Sequence, residues 1–183
     1  MVVFDATTLL ILLSPSVPAP VDPTTHTPVE YAKECVDHLV KELEKSRTRI
    51  IIPTPALSEI LVRAGSAGSA YLDRINSSAA FRIASFDQRA PVEVAAMTRD
   101  ALSAGDKRGG AQGTWAKVKY DRQIVAIAKV EGADIIYSDD DDVDKLATQA
   151  GITAMRIADL PLPPEMAQGR LDFEGLKGTQ EIE

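Results

Sequence analysis

The segment Val2-Val3-Phe4-Asp5-Ala6-Thr7-Thr8-Leu9-Leu10-Ile11-Leu12-Leu13 changes character at Asp5. Residues 2–4 form a short apolar run of the kind that makes a buried strand, and the Leu/Ile stretch after the acid reads as a helix. The same order of apolar run, polar stop and helix recurs along the chain. Arg49-Ile50-Ile51-Ile52-Pro53 is a second buried strand. Thr54-Pro55 then offers an N-cap and a proline at the first helical position, which predicts a helix through Leu57, Ile60 and Leu61 to about Ala64. Phe81-Arg82-Ile83-Ala84-Ser85-Phe86 alternates as a strand does. Asp134-Ile135-Ile136-Tyr137-Ser138 is a further strand, and Asp139-Asp140-Asp141-Asp142 opens a helix carrying Val143, Leu146 and Ala147. Residues 153–157 read as the last strand.

Between these runs, Ala32, Val36, Leu39, Val40 and Leu43 recur at helical spacing and predict a helix over 29–45. Further helices are expected over 71–75, 91–102 and 120–131. Residues 14–28, rich in Pro, Thr and Ser, and 104–114, rich in Gly and charge, read as loops. There is no internal repeat. Strands alternating with helices imply an α/β fold: a three-layer α/β/α arrangement with a mainly parallel central sheet. Ligands in such folds bind outside the carboxyl ends of the strands. Asp5 and the acidic run 139–142 both fall at such ends.

A chain of 183 residues suits one compact core, expected over 1–160, with a Pro-, Gly- and charge-rich tail, 161–183, loosely attached. An apolar fraction of 45% and a charged fraction of 26% are those of an ordinary soluble domain. One cysteine, Cys35, excludes an internal disulfide framework, and with only His26 and His38 a Cys/His metal site is not expected. The apolar N-terminal run has no basic leader, is broken by Asp5 and is too short for a bilayer, so the expectation is a cytoplasmic protein without membrane association. A net charge of −7 argues against a nucleic-acid partner only as an average. Lys107, Arg108, Lys117, Lys119, Arg122 and Lys129 lie close together in sequence, so the acidic excess can belong to a cation-holding pocket.

Each acid has an ordinary reading. Asp5 can be a helix N-cap or Asx-turn residue, or a ligand at the sheet edge. Glu59 is not at the capping-box position, which is Leu57, and otherwise reads as a solvated helix-face acid. Asp121 suits a helix's first turn, yet it shares a stripe with Ile124, Val125 and Ala128, and an inward acid is costly without a purpose. The run 139–142 can be a solvated helix start, although a bound cation would relieve its mutual repulsion.

Their order and settings are more specific than any one of them. Val-Val-Phe-Asp5-Ala-Thr-Thr-Leu-Leu, Ile-Ile-Pro-Thr-Pro-Ala-Leu-Ser-Glu59-Ile-Leu, Tyr-Asp121-Arg-Gln-Ile-Val-Ala-Ile-Ala and Ile-Ile-Tyr-Ser138-Asp-Asp140-Asp-Asp142-Val resemble, in order, the four acidic motifs of the PIN-domain ribonucleases. That family includes the toxins of VapBC-type toxin–antitoxin pairs, and the resemblance spans about residues 1–160. Thr7 stands where many members carry Asn, and Val143 where they carry Phe. With Ser138 at the family's hydroxyl position, Asp140 becomes the core ligand and Asp142 the accessory one, with Asp139 as the alternative.

The resemblance implies a metal-dependent ribonuclease. Asp5, Glu59, Asp121 and Asp140 would be catalytic, holding Mg²⁺ or Mn²⁺ and orienting water with help from Asp142. Thr7 and Ser138 would hydrogen-bond the ligand carboxylates. Lys107, Arg108, Trp115, Lys117, Lys119 and Arg122 would contact RNA through phosphate pairing and base stacking, unless the loop is merely solvated and Trp115 sits in the core. Expected partners are an RNA substrate, an antitoxin protein that buries an Arg or apolar segment in the acidic groove, and a second copy of the chain. Two other readings compete. One is a catalytically inactive PIN-like module that binds RNA or protein. The other is a phosphatase with a strand-end Asp nucleophile, which would want a second Asp where Thr7 stands.

Overall fold

The computed structural model describes residues 1–166. Its centre is a five-stranded, wholly parallel sheet. The strands are β1 (Val2–Phe4), β2 (Ile50–Pro53), β3 (Phe81–Ala84), β4 (Ile135–Tyr137) and β5 (Thr153–Met155), in the spatial order β3-β2-β1-β4-β5. The helices are α1 (Ala6–Leu13), α2 (Ala32–Lys45), α3 (Thr54–Ala64), α4 (Gly68–Ser77), α5 (Ala90–Ser103), α6 (Trp115–Val130) and α7 (Asp141–Gln149).

The central strands are apolar at every position because both faces of the sheet are covered. Side chains alternate between those faces. Phe4, Ile50, Ile52 and Tyr137 join the cluster with Leu9, Val36 and Ile60, while Val3, Ile51 and Ile136 join the one with Val118, Val125 and Leu146. Phe4 is fully enclosed and meets Tyr137 edge-on at a centroid distance of 5.4 Å and Phe81 at 6.5 Å. The three-layer α/β/α expectation therefore holds.

Strand order fixes where a crevice must open. From β1 the chain builds outward to β2 and β3, then crosses back to add β4 and β5 on β1's other side. The direction reverses between β1 and β4, and outside their carboxyl ends no crossover covers the sheet. Asp5 and Ser138 are the residues that leave those two strands.

Some boundaries differ from the sequence expectations. Helix α6 starts at Trp115, five residues before the expected 120, because Thr114 is a working N-cap whose hydroxyl accepts from the Lys117 amide at 3.3 Å. The Gly-rich run before it hides that cap. In α3 the N-cap position is Pro53, and Thr54 is already helical; its hydroxyl accepts from the Phe86 amide at 3.2 Å. Strand β5 ends at Met155, followed by a 3-10 turn over Ile157–Asp159. Leu160 and Leu162 still pack on the first core cluster. The expected loose tail lies outside the described residues from 167 onward. Among the described residues, no helix is long and apolar enough to cross a membrane.

Because Phe4 is packed between Tyr137 and Phe81 at the sheet centre, Phe4→Ala should lower the unfolding free energy by about 3–5 kcal/mol, measured by urea titration. A loss under about 1 kcal/mol would mean that this aromatic stack does not hold the sheet.

Candidate functional site

The β1–β4 ladder runs one step past both strands. The Asp5 amide donates to the Tyr137 carbonyl at 3.1 Å, which sets Asp5 beside Ser138. The Ser138 hydroxyl donates to Asp5 Oδ2 at 2.8 Å and accepts from the Asp140 amide at 3.1 Å. Asp5 Oδ1 accepts from the Ala6 amide at 2.7 Å, so Asp5 also caps α1. It is buried, and that burial pushes its pKa up to about 6, against the pull of its two hydrogen bonds; the charges of Glu59 and Asp140 push the same way. Thr7, expected to support the acids, is half-buried and makes no side-chain hydrogen bond among the described residues. Its neighbour Thr8 is wholly buried and donates to the Tyr137 carbonyl at 3.0 Å, which ties α1 to β4.

Helix geometry sorts the four aspartates of the run. Asp140 is the N-cap of α7, its Oδ1 accepting from the Asp142 amide at 2.8 Å. Asp142 is buried and faces the same way. Asp139 turns toward the end of β5 and accepts from the Ile157 amide at 3.2 Å, while Asp141 pairs with Arg156 on the outside. Asp140 and Asp142 thus share a pocket that Asp139 and Asp141 do not enter.

Asp121 comes to that pocket from α6. It is 6% exposed, and burial raises its pKa to about 6 in spite of the neighbouring Lys117. One carboxylate oxygen from each of Asp121, Asp140 and Asp142 lies within 4.8 Å of the others. Between them sits the Lys117 ammonium, 2.8 Å from Asp121 Oδ2, 2.8 Å from Asp140 Oδ2 and 3.3 Å from Asp142 Oδ2. Partial burial works against its charge, yet the hydrogen bonds and charges of Asp121 and Asp140 prevail and hold it well above the ordinary lysine range. One helical turn before Asp121, the Lys117 side chain lies along α6 into the acids.

Asp142 has a second task. Its Oδ1 accepts from the Gln112 amide at 2.7 Å and its Oδ2 from the Gly113 amide at 2.9 Å. These bonds, with that from Lys117, hold its carboxyl below the usual range against a desolvation that favours the neutral form. A Cβ at Gly113 would come within 2.7 Å of Asp142 Oδ2 and 2.9 Å of Lys117 Cδ. Only glycine lets the loop lie this close over the acids.

Glu59 stays at the margin. It is half-exposed on α3 and its Oε1 accepts from Arg63 at 2.8 Å, although its charge still reaches Asp5. Of the residues expected at RNA, Lys107, Arg108 and Lys119 are exposed. Trp115 is half-buried, with Lys107 Nζ 5.3 Å and Lys119 Nζ 5.9 Å from its ring centre. Arg122, by contrast, is 1% exposed, and its guanidinium donates to the Lys107 carbonyl at 2.7 Å and to Thr98 at 3.2 Å. It supports the loop from beneath through the Lys107 carbonyl.

The donor set fits a hard divalent cation. Its groups are carboxylate oxygens, as Mg²⁺ and Mn²⁺ prefer, and the triad converges tightly enough to coordinate one cationic nitrogen from three sides. No family model matches the sequence, and no curated protein does. Among solved structures, the chain is similar to VapBC2 from Rickettsia felis bound to a DNA fragment from its promoter. That match has a TM-score of 0.58 at 12% identity and covers 85% of this chain and 98% of the other. It is also similar to DNA-bound VapBC from Salmonella typhimurium, with a TM-score of 0.53 at 13% identity, covering 85% and 97%. At these identities the likeness is one of fold. The chain has the VapC-like PIN-domain fold.

Proposed function

We propose that the protein is a divalent-metal-dependent ribonuclease, acting as the toxin of a type II toxin–antitoxin pair. The observation that carries the reading is the convergence of Asp121, Asp140 and Asp142 into a cation-holding triad at the switch point, with Asp5 adjoining it. Asp121, Asp140 and Asp142 would hold Mg²⁺ or Mn²⁺. Bound there, the ion supplies Lewis-acid stabilisation of a phosphodiester and makes water a stronger acid.

The chain's own groups do the rest. Ser138 fixes the orientation of Asp5 through its hydroxyl. Asp5, which adjoins the triad without belonging to it, is the carboxylate placed to take the proton from attacking water. Glu59 is held only by an exposed helix pair with Arg63, which is worth little, so its carboxylate can turn toward Asp5 and complete the set. Lys107, Arg108 and Lys119 offer phosphate contacts beside Trp115, whose ring gives an unpaired base a stacking surface. A small antitoxin would close the same groove with an Arg or an apolar segment. The solved neighbours, VapBC complexes bound to DNA, support looking for such a partner.

With Mg²⁺ or Mn²⁺ the purified protein should cleave single-stranded or structured RNA, and chelator should stop it. Asp121→Asn should abolish cleavage, and Ser138→Ala should reduce it by roughly 10–100-fold. RNA binding without cleavage at any metal concentration would favour an inert PIN-like module. Cleavage unchanged in Asp121→Asn would remove the proposed chemistry.

Burial of Asp5 also carries a stability cost that an activity can justify. Asp5 titrates at about 6 in the folded chain against a model value of 3.8, so between those values the folded state keeps a proton that the unfolded state has released. Its stabilising contribution is present below about pH 3.8 and is lost as pH rises through 6. Chelator-treated Asp5→Asn should therefore be more stable than the parent at pH 8, by on the order of 1–3 kcal/mol, and should converge with it near pH 4. Parallel stability–pH curves for the two proteins would contradict this account of Asp5.

A further inference from the structure

We propose that Lys117 is a tethered cation that occupies the divalent-ion position in the metal-free protein, and that its ammonium must leave before a metal can bind. This rests on the reading of Asp121, Asp140 and Asp142 as the metal-holding triad. The placement of Lys117 is more specific than that of a surface lysine near acids. Its nitrogen contacts all three carboxylates at 2.8–3.3 Å. Those are the three residues whose carboxylate oxygens converge within 4.8 Å of one another. An ammonium and a divalent ion held by the same three carboxylates would repel each other at close range.

The surroundings hold Lys117 in place. It is one helical turn from Asp121, so its stem runs along α6 toward that acid, and its Cδ passes under Gly113, where a Cβ would lie at 2.9 Å. The loop over it is fastened by the Gln112 and Gly113 amides on Asp142. At 40% side-chain exposure, however, Lys117 has an open side toward water. An exit therefore exists that does not require α6 to unfold.

The functional consequence is a threshold. A metal ion meets a triad already neutralised in part, and its apparent affinity falls by the fraction of time the ammonium is absent. An ammonium absent for roughly a tenth of the time would weaken apparent binding about tenfold. The same ammonium relieves carboxylate repulsion while the site is empty, so the metal-free fold gains what metal affinity loses.

The test uses Mn²⁺ and the full chain. In calorimetric titration, Lys117→Met should bind Mn²⁺ roughly tenfold more tightly than the parent, whereas Lys119→Met, which removes the same charge from an exposed position on the same helix, should change affinity by less than about twofold. Chelator-treated Lys117→Met should melt at a lower temperature than the parent, and Mn²⁺ should restore the difference. A second measurement needs no variant: reductive methylation of Lys117, read by mass spectrometry, should be slow without metal and several-fold faster at saturating Mn²⁺. Equal Mn²⁺ affinity in Lys117→Met and the parent, or methylation that metal leaves unchanged or slows, overturns the proposal while leaving the metal site intact. Equal tightening in both lysine variants reduces it to general electrostatics and overturns it as well. If Mn²⁺ binds none of these proteins at millimolar concentration, the metal-holding triad itself falls, and this inference with it.

Discussion

One backbone hydrogen bond, from the Asp5 amide to the Tyr137 carbonyl, sets Asp5 beside Ser138 and so anchors the edge at which the acids gather. It extends the β1–β4 ladder past the last paired residues, so Asp5 and Ser138 leave adjacent strands side by side. Parallel strands must emerge at the same edge of the sheet. At a point where strand order reverses, the two emerging loops diverge and leave the edge open. Ser138 then couples the two exits, donating to Asp5 and accepting from Asp140. A register shift of one residue between β1 and β4 would put Phe4 and Tyr137 on opposite faces of the sheet, and it would separate Asp5 from Ser138 at the same time. Packing of the aromatic core and assembly of the acids are thus one constraint.

Strand identity and order of acids were legible in the sequence because both have short-range causes. Val2–Phe4, Ile50–Ile52 and Ile135–Tyr137 are apolar throughout, as strands covered on both faces must be, and an acid directly after such a run has few places to go. The inward setting of Asp121 was also legible, since Ile124, Val125 and Ala128 mark its face of α6. What escaped reading depends on contacts between distant segments. The pairing of Glu59 with Arg63 one turn away is decided at a half-exposed helix position, where ion pairs are worth little and residue type does not announce the partner. Backbone donors such as the Gln112 and Gly113 amides carry no signature in residue type, although the glycine at 113 hints that something approaches closely. Arg122 did leave a signal: it lies four residues after Val118 and three before Val125, which puts it on a buried stripe.

The basic segment 107–122 shows how charge in sequence divides once folded. An early helix start at Trp115, capped by Thr114, places Lys117, Lys119 and Arg122 on different faces of α6, each with its own task. Arg122 goes inward, with burial holding its pKa below the ordinary guanidinium value, and takes up the Lys107 carbonyl. Lys119 goes outward beside Trp115. Lys117 goes sideways into the acids. A cluster of cations that looked uniform supplies a loop support, an exposed contact and an internal counter-ion.

The acidic balance of the chain divides in the same way. A net charge of −7 is an average over groups in very different surroundings, and the acids nearest the switch point differ sharply among themselves. Asp142 is held below the ordinary carboxylate range by two amides and an ammonium, whereas Asp5 and Asp121 are lifted to about 6 by burial. Carboxylates pushed in opposite directions a few ångströms apart are poorly suited to a merely structural cluster, in which each acid would be kept ionised by donors of its own. Asp5, in spite of its two hydrogen bonds, and Asp121, in spite of Lys117, keep a burial cost that a further positive charge nearby would lower. The Lys117 ammonium, in contact with Asp121, Asp140 and Asp142, supplies part of that charge, which ties the state of these acids to the cation that sits among them.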